Sequence, residues 1–390
     1  MLIPLELAPL SAAEVAHEAE VVAAIRAAQD AAGGWLPFSR FMQLALYAPG
    51  LGYYAAGAHK LGAGGDYVTA PELSPVFARC LASQCAEVLA TLGGGEILEI
   101  GAGSGALAAE LLAELGRLGR LPARYRILET SPELRLRQQA ALAAVPGAQG
   151  ARIDWLDAPP SAPFAGVVLG NEVLDALPVE CFRIEDGRVE AQGVAWSGQR
   201  FEWAARPADA ALAAEVAALG VPLAAGYASE LCAMLGAWLA AVTAPLAAGV
   251  VLLADYGLVR SAYYEPGRDG GTLACFHRQR RHHDPFVNVG LQDLTAWVDF
   301  TRVAEAGLAL GFAVAGYTTQ AHFLLANGFE RHLAALRSTL DAGREPLAAG
   351  AALRLVLPAE MGERFKCIAL ARRYDAPLAG FALRDFAATL

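Results

Sequence analysis

The spacing of apolar residues changes character near residue 96. Before it, Ala, Val and Ile recur at helical intervals over Ala12–Ala32, behind Ser11 and with Glu14 at the third helical position, which predicts a helix opened by a capping box. An irregular aromatic stretch from Tyr47 to Tyr54 follows, then a Gly-rich run from Gly62 to Asp66, and Pro71 opens a second predicted helix through Leu92. Beyond residue 96 short apolar, mostly β-branched runs alternate with helical segments. The predicted strands are Glu96–Ile100, Tyr125–Glu129, Ala151–Leu156, Val167–Leu169, Val250–Ala254, Phe312–Tyr317 and Phe365–Ala371. Runs of this kind suit a largely parallel sheet covered on both faces. Two excursions interrupt it. Val179–Ala205 carries a Glu185-Asp186-Gly187 turn that predicts a β-hairpin. Leu258–Gly290 lacks apolar periodicity, and a loop of that length in a compact domain is a candidate for the substrate side. The expected organisation is a helical cap with a Gly-rich lid loop over residues 1–90. A sheet domain over 91–390 follows, with insertions at about 179–230 and 258–290.

Composition narrows the classes. Of 390 residues, 55% are hydrophobic and 18% charged, enough apolar material for a sizeable core and too little charge for a disordered chain. The mean hydropathy of +0.36 raises the question of a membrane protein. The most apolar stretch, Ala240–Ala254, is broken by Thr243, Pro245 and Gly249 and is shorter than the roughly 20 residues a spanning helix needs. It reads as a helix end running into a core strand. A net charge of −10 argues against sequence-independent binding to nucleic acid. The six cysteines are scattered, and no basic residue precedes Arg26. These features lead us to expect free thiols, no secretory or transit segment, no membrane insertion and a cytoplasmic location.

The strongest local motif is Glu99-Ile100-Gly101-Ala102-Gly103-Ser104-Gly105, which ends one strand and opens a helix at Ala106. Glycines let the chain turn tightly at the carboxyl edge of a sheet, so that helix N–H groups face a ligand. Gly101-x-Gly103-x-x-Ala106 also satisfies the dinucleotide fingerprint, so an NAD(P)-dependent oxidoreductase is one reading. Three neighbours favour S-adenosylmethionine. A carboxylate at Glu99 suits a cationic amino group and repels pyrophosphate. Glu129, ending the next strand, suits both hydroxyls of a ribose. Asp154 and Trp155, ending the third, suit the edge and face of adenine, although Trp155 reads equally well as core.

These residues carry a family resemblance. Glu99-x-Gly101-x-Gly103-x-Gly105 resembles the first motif of class I S-adenosylmethionine-dependent methyltransferases. Four further blocks occur in order: Gly65-Asp66-Tyr67-Val68-Thr69-Ala70-Pro71-Glu72, Asn171-Glu172-Val173-Leu174-Asp175-Ala176-Leu177-Pro178, Asp255-Tyr256-Gly257, and Gly290-Leu291-Gln292-Asp293-Leu294-Thr295. Together, from about Phe38 to Leu370, they resemble the MidA-like family, which includes the mitochondrial complex I assembly methyltransferase. The resemblance implies an α/β fold, a Rossmann-like, mostly parallel sheet with an antiparallel last strand. It implies S-adenosyl-L-methionine as cofactor, with Asp66 and Thr69 brought to its methionine end, and symmetric dimethylation of arginine on a partner protein. One position departs. A His is expected where this chain has Trp297, in Trp297-Val298-Asp299-Phe300.

Asn171 and Glu172 stand just beyond the fourth predicted strand, and Asp175 follows. Asn171 is expected beside the cofactor. Glu172, with Asp175 in support, is expected to hold the planar fork of a guanidinium. The Cys275, His277, His282, His283, Asp284 group has no zinc spacing and is interrupted by arginines, so no metal is expected. A non-catalytic assembly factor that keeps the fold as a platform is the remaining alternative.

Overall fold

The computed structural model describes residues 8–56, 69–145, 150–341 and 343–390. Asp66, and with it most of the expected lid loop, lies outside them. The chain divides into two compact units. One draws on Met1–Tyr67, Asp175–Met234 and Arg260–Trp297; the other is built from Val68–Leu174, Leu235–Val259 and Val298–Leu390.

The second unit carries the central sheet. Its seven long strands are β1 (Glu96–Ile100), β2 (Arg124–Leu128), β3 (Arg152–Leu156), β4 (Phe164–Asn171), β5 (Leu246–Leu258), β6 (Ala313–Thr319) and β7 (Phe365–Arg372). They lie in the order β6-β7-β5-β4-β1-β2-β3, and the two-residue strand Val298–Asp299 joins the end of β5. Strands β1 to β5 pair in parallel, while β7 runs antiparallel between β5 and β6. Each observed strand contains or nearly matches its predicted run. The fit follows from composition: Val167, Val168, Leu169, Val250, Val251 and Leu252 are all buried, so successive residues fill both faces of the sheet.

The helices between these strands include α1 (Pro75–Thr91), α2 (Ala106–Arg117) and α3 (Pro132–Ala143). The expected helix from Pro71 to Leu92 is broken. A short turn, Ala70–Leu73, ends at Ser74, whose extended backbone and hydroxyl restart the chain as the cap of α1. Pro75 has no N–H for the preceding turn and disfavours helical backbone at Ser74, so the two segments cannot merge.

The first unit joins the N-terminal segment to both excursions. Helix Ala12–Ala31 starts with the expected capping box of Ser11 and Glu14. Gln29 on it donates to the carbonyl of Val194, and the two-residue strand Leu36–Pro37 pairs with Gly193 and Val194. Those residues belong to the predicted hairpin, Glu180–Glu185 with Arg188–Trp196, whose two-residue turn places Asp186 and Gly187 at φ 48° and 73°. Both angles are positive, as the tightest hairpin turn requires. The expectation of an irregular 258–290 excursion is corrected. Ala274–His277 pairs with Arg280–His282 and with Asp293–Thr295 as a three-stranded sheet. Phe41, Phe201 and Phe286 pack edge to face in this unit's core. None of the described residues forms a helix long and apolar enough to cross a membrane.

Candidate cofactor site

Parallel strands leave their carboxyl ends along one edge, and the chain leaves β1 and β4, which are neighbours, in opposite directions across the sheet. This is the switch point at which open α/β sheets bind ligands. Gly101, Gly103 and Gly105 follow β1 with φ of 65°, 55° and 86°. At Gly105 the requirement is double. Its backbone is left-handed, and a Cβ would come within 3.0 Å of the Cα of Gln138. Gly105 caps α2 and has no side chain to offer the first helical N–H groups. At Gly101 a Cβ would meet the side chain of Val173 at 3.1 Å, so the glycine turn and the segment after β4 touch.

Glu129, directly after β2, is buried. One carboxylate oxygen accepts the N–H of Ser131 at 2.9 Å and the other the side-chain amide of Gln138 at 3.0 Å. Burial raises its pKa, and these hydrogen bonds oppose the rise. Each oxygen retains capacity for a further donor, as binding a diol requires.

Gln138, on α3, is the residue sequence reasoning missed. Fully buried, it donates to the carbonyl of Gly103 at 3.0 Å and to Glu129, and it accepts the indole N–H of Trp155 at 3.0 Å. The partners fix the amide's orientation, because an indole only donates while a carbonyl and a carboxylate only accept. One side chain thus ties the glycine turn, the acid after β2 and the aromatic of β3.

Asp154 is not brought into this group. Adjacent residues on a strand point to opposite faces, and with Trp155 directed to Gln138, Asp154 pairs with Arg152 at 3.0 Å. Asp154 and Trp155, expected at adenine together, therefore lie on opposite faces of β3 with different partners.

Glu99 is 1% exposed, and its carboxylate accepts the hydroxyl of Tyr125 at 2.7 Å. Burial is the main cause that pushes its pKa up to about 7, and the charge of Glu129 adds to the rise. The folded protein therefore holds a proton there that the unfolded chain has released above about pH 4.5. Stability from this group is complete below pH 4.5 and falls as pH rises to about 7, by on the order of 3 kcal/mol. Glu99→Gln removes the titration. Its melting temperature relative to wild type should climb between pH 4.5 and 7.5 and level off beyond. A constant offset across that range would contradict the assignment, whatever the fixed cost of the buried amide.

Beyond β4, Glu172 has φ 52°, a strained value for a residue with a side chain. Its N–H donates to the carbonyl of Ala254 at 2.8 Å, and its Oε1 accepts both the N–H of Ala70, at 3.1 Å, and the amide of Asn171, at 3.0 Å. Asp255, fully buried on β5, accepts the N–H of Leu174 at 2.9 Å and fixes the same segment. Thr69 caps the Ala70–Leu73 turn without a side-chain hydrogen bond. Asp175 opens the other unit, where it is buried and its carbonyl accepts the N–H of Ala296.

This edge fits the cofactor that the resemblance implies. A Cβ at Gly101 or Gly105 would meet Val173 or Gln138, so the tight turn needs its glycines, and among the described residues the buried acceptors Asn171 Oδ1 and Glu72 Oε2 have no donor. Comparison with known proteins agrees. Residues 80–318 match a family model described as "Putative S-adenosyl-L-methionine-dependent methyltransferase". A crystal structure of a "likely methyl transferase" from Burkholderia thailandensis, bound to S-adenosyl-homocysteine, is 43% identical; the match covers 99% of this chain and 100% of that one, with a TM-score of 0.94. The mitochondrial protein arginine methyltransferase NDUFAF7 of Danio rerio is 28% identical over 373 residues, 86% of this chain and 83% of that protein. The human protein of the same name is 26% identical over 86% of this chain and 80% of its own length. The cofactor is thus S-adenosylmethionine rather than a dinucleotide, and the chain belongs to this family of S-adenosyl-L-methionine-dependent methyltransferases.

Proposed function

We propose that the protein methylates an arginine side chain of a partner protein and that Glu172 receives the guanidinium. The observation that carries this reading is Glu172 itself. It is a carboxylate at the carboxyl edge, held at a strained backbone angle by Ala254 and oriented by Ala70 and Asn171. Strain of about 1–3 kcal/mol persists where the surroundings impose it, and it gathers at sites of chemistry. The relatives named as protein arginine methyltransferases support the choice of substrate.

Bound S-adenosylmethionine supplies an electrophilic methyl group on its sulfonium sulfur. The chain's part is alignment and proton handling. A guanidinium is protonated at any physiological pH, so one of its nitrogens must lose a proton as it takes up the methyl group. A carboxylate held against it binds the cation, fixes its plane and accepts that proton. Glu129, Gln138 and the glycine turn would hold the nucleoside. Rigid placement of the two reactants is the main contribution such a transfer needs.

Mass spectrometry of proteins from cells with and without this chain tests the reading. Peptides carrying methylarginine are expected only where it is present. Methyl groups confined to lysine, nucleic acid or a small molecule would overturn arginine as the target. No methylation by a protein that still binds S-adenosylhomocysteine would favour the platform alternative.

A further inference from the structure

The carboxylate expected to meet the cofactor's amino group, Glu99, is occupied by Tyr125 and almost wholly buried. A different acid stands nearby. Glu72 lies on the Ala70–Leu73 turn, and its Oε2 is buried and has no donor among the described residues. The Oδ1 of Asn171 is in the same condition. Buried acceptors without a donor cost roughly 1–3 kcal/mol each, so two in one neighbourhood call for an explanation.

The two belong to one neighbourhood. Asn171 and the N–H of Ala70 donate to the same oxygen of Glu172, and Glu72 is two residues from Ala70. The Ala70–Leu73 turn packs against α2, whose N-terminus is the glycine turn. Gly170, next to Asn171, pairs with Ile100, next to Gly101, and Val173 contacts Gly101. The orphaned acceptors therefore lie on segments that adjoin α2 and the glycine turn, on the β4 side of β1, whereas Glu129 and Trp155 lie on the β2–β3 side.

We propose that Glu72, with the carbonyl oxygen of Asn171, binds the α-ammonium group of the cofactor's methionine portion. A carboxylate and an amide oxygen are both acceptors, so they suit a group with several N–H donors and a positive charge. They do not suit the cofactor's carboxylate, for which the uncapped N–H groups of α2 provide donors. The inference rests on the family's cofactor and is independent of the methyl acceptor.

Calorimetry on the full chain tests it with two ligands: S-adenosylhomocysteine and its desamino analogue, in which hydrogen replaces the α-amino group. Wild type should prefer S-adenosylhomocysteine by about tenfold or more, the range of a charged hydrogen bond. Glu72→Gln should bind the analogue within about twofold of wild type and lose most of that preference. Glu72→Ala repeats the comparison without leaving a buried amide behind and covers the case in which the glutamine variant fails to fold. The proposal is overturned if wild type binds both ligands equally, or if the Glu72 variants keep the preference. It is overturned also if they weaken both ligands alike, as a purely structural role would. Selective loss in Glu99→Gln instead would return the ammonium to Glu99. A wild-type protein that bound neither ligand would overturn the cofactor assignment itself, and this one with it.

Discussion

Glu172→Gln should lower methyl transfer by about a hundredfold and leave the affinity for S-adenosylhomocysteine within about twofold of wild type. The substitution keeps volume and shape. A glutamine Oε1 can still accept from Ala70 and Asn171, and the strained φ of 52° exists in both proteins and cancels. What changes is the charge, and with it the ability to take a proton from the nucleophile. A loss confined to turnover would mark an interaction made while the methyl group moves. A loss confined to substrate affinity would mark uniform binding. Steady-state kinetics on the methylated peptide, with calorimetry on the same preparations, separates the two. Turnover near the wild-type rate would remove Glu172 from the chemistry.

Much of the fold was legible in the sequence. The seven long strands were found because β-branched runs buried on both faces have no other common explanation, and the Asp186–Gly187 turn because both residues tolerate positive φ. The elements missed are those whose stabilisation comes from distant segments. Leu36–Pro37 is two residues long and is a strand only because Gly193 and Val194 pair with it, so nothing local predicts that the N-terminal segment joins the hairpin. Arg280–His282 and Asp293–Thr295 are too short to show a period of two. Within the candidate site, the glycines follow β1 and Glu129 follows β2, strand ends that the sequence pattern already marks. The division of Asp154 from Trp155 was available from strand alternation alone. Gln138 was not. Glutamine is an ordinary residue in a helix, and its function is defined only by Gly103, Glu129 and Trp155 meeting around it.

Gln138→Leu should therefore be the most damaging single change at the cofactor edge that leaves every expected ligand-binding residue in place. Leucine fits the buried volume approximately, so the loss comes from hydrogen bonding and not from a cavity. Three groups lose their partner together: one buried oxygen of Glu129, and the partly buried carbonyl of Gly103 and indole N–H of Trp155. At roughly 1–3 kcal/mol for the buried oxygen, and less for the two partly buried groups that water can reach, the variant should be less stable by about 2–4 kcal/mol. Losing the amide that opposes burial should also raise the pKa of Glu129 further, so that more of it is protonated near neutral pH. A protonated Glu129 is a poorer acceptor for a ribose, so S-adenosylhomocysteine affinity should fall by about tenfold or more, and part of that loss should be recovered at higher pH. Gln138→Glu separates the two effects, because it retains an acceptor for Trp155 and places a like charge against Glu129. Denaturant unfolding and calorimetry between pH 6 and 9 supply the readouts. Stability within about 1 kcal/mol of wild type, or an affinity loss independent of pH, would show that Gln138 does not couple the glycine turn to Glu129.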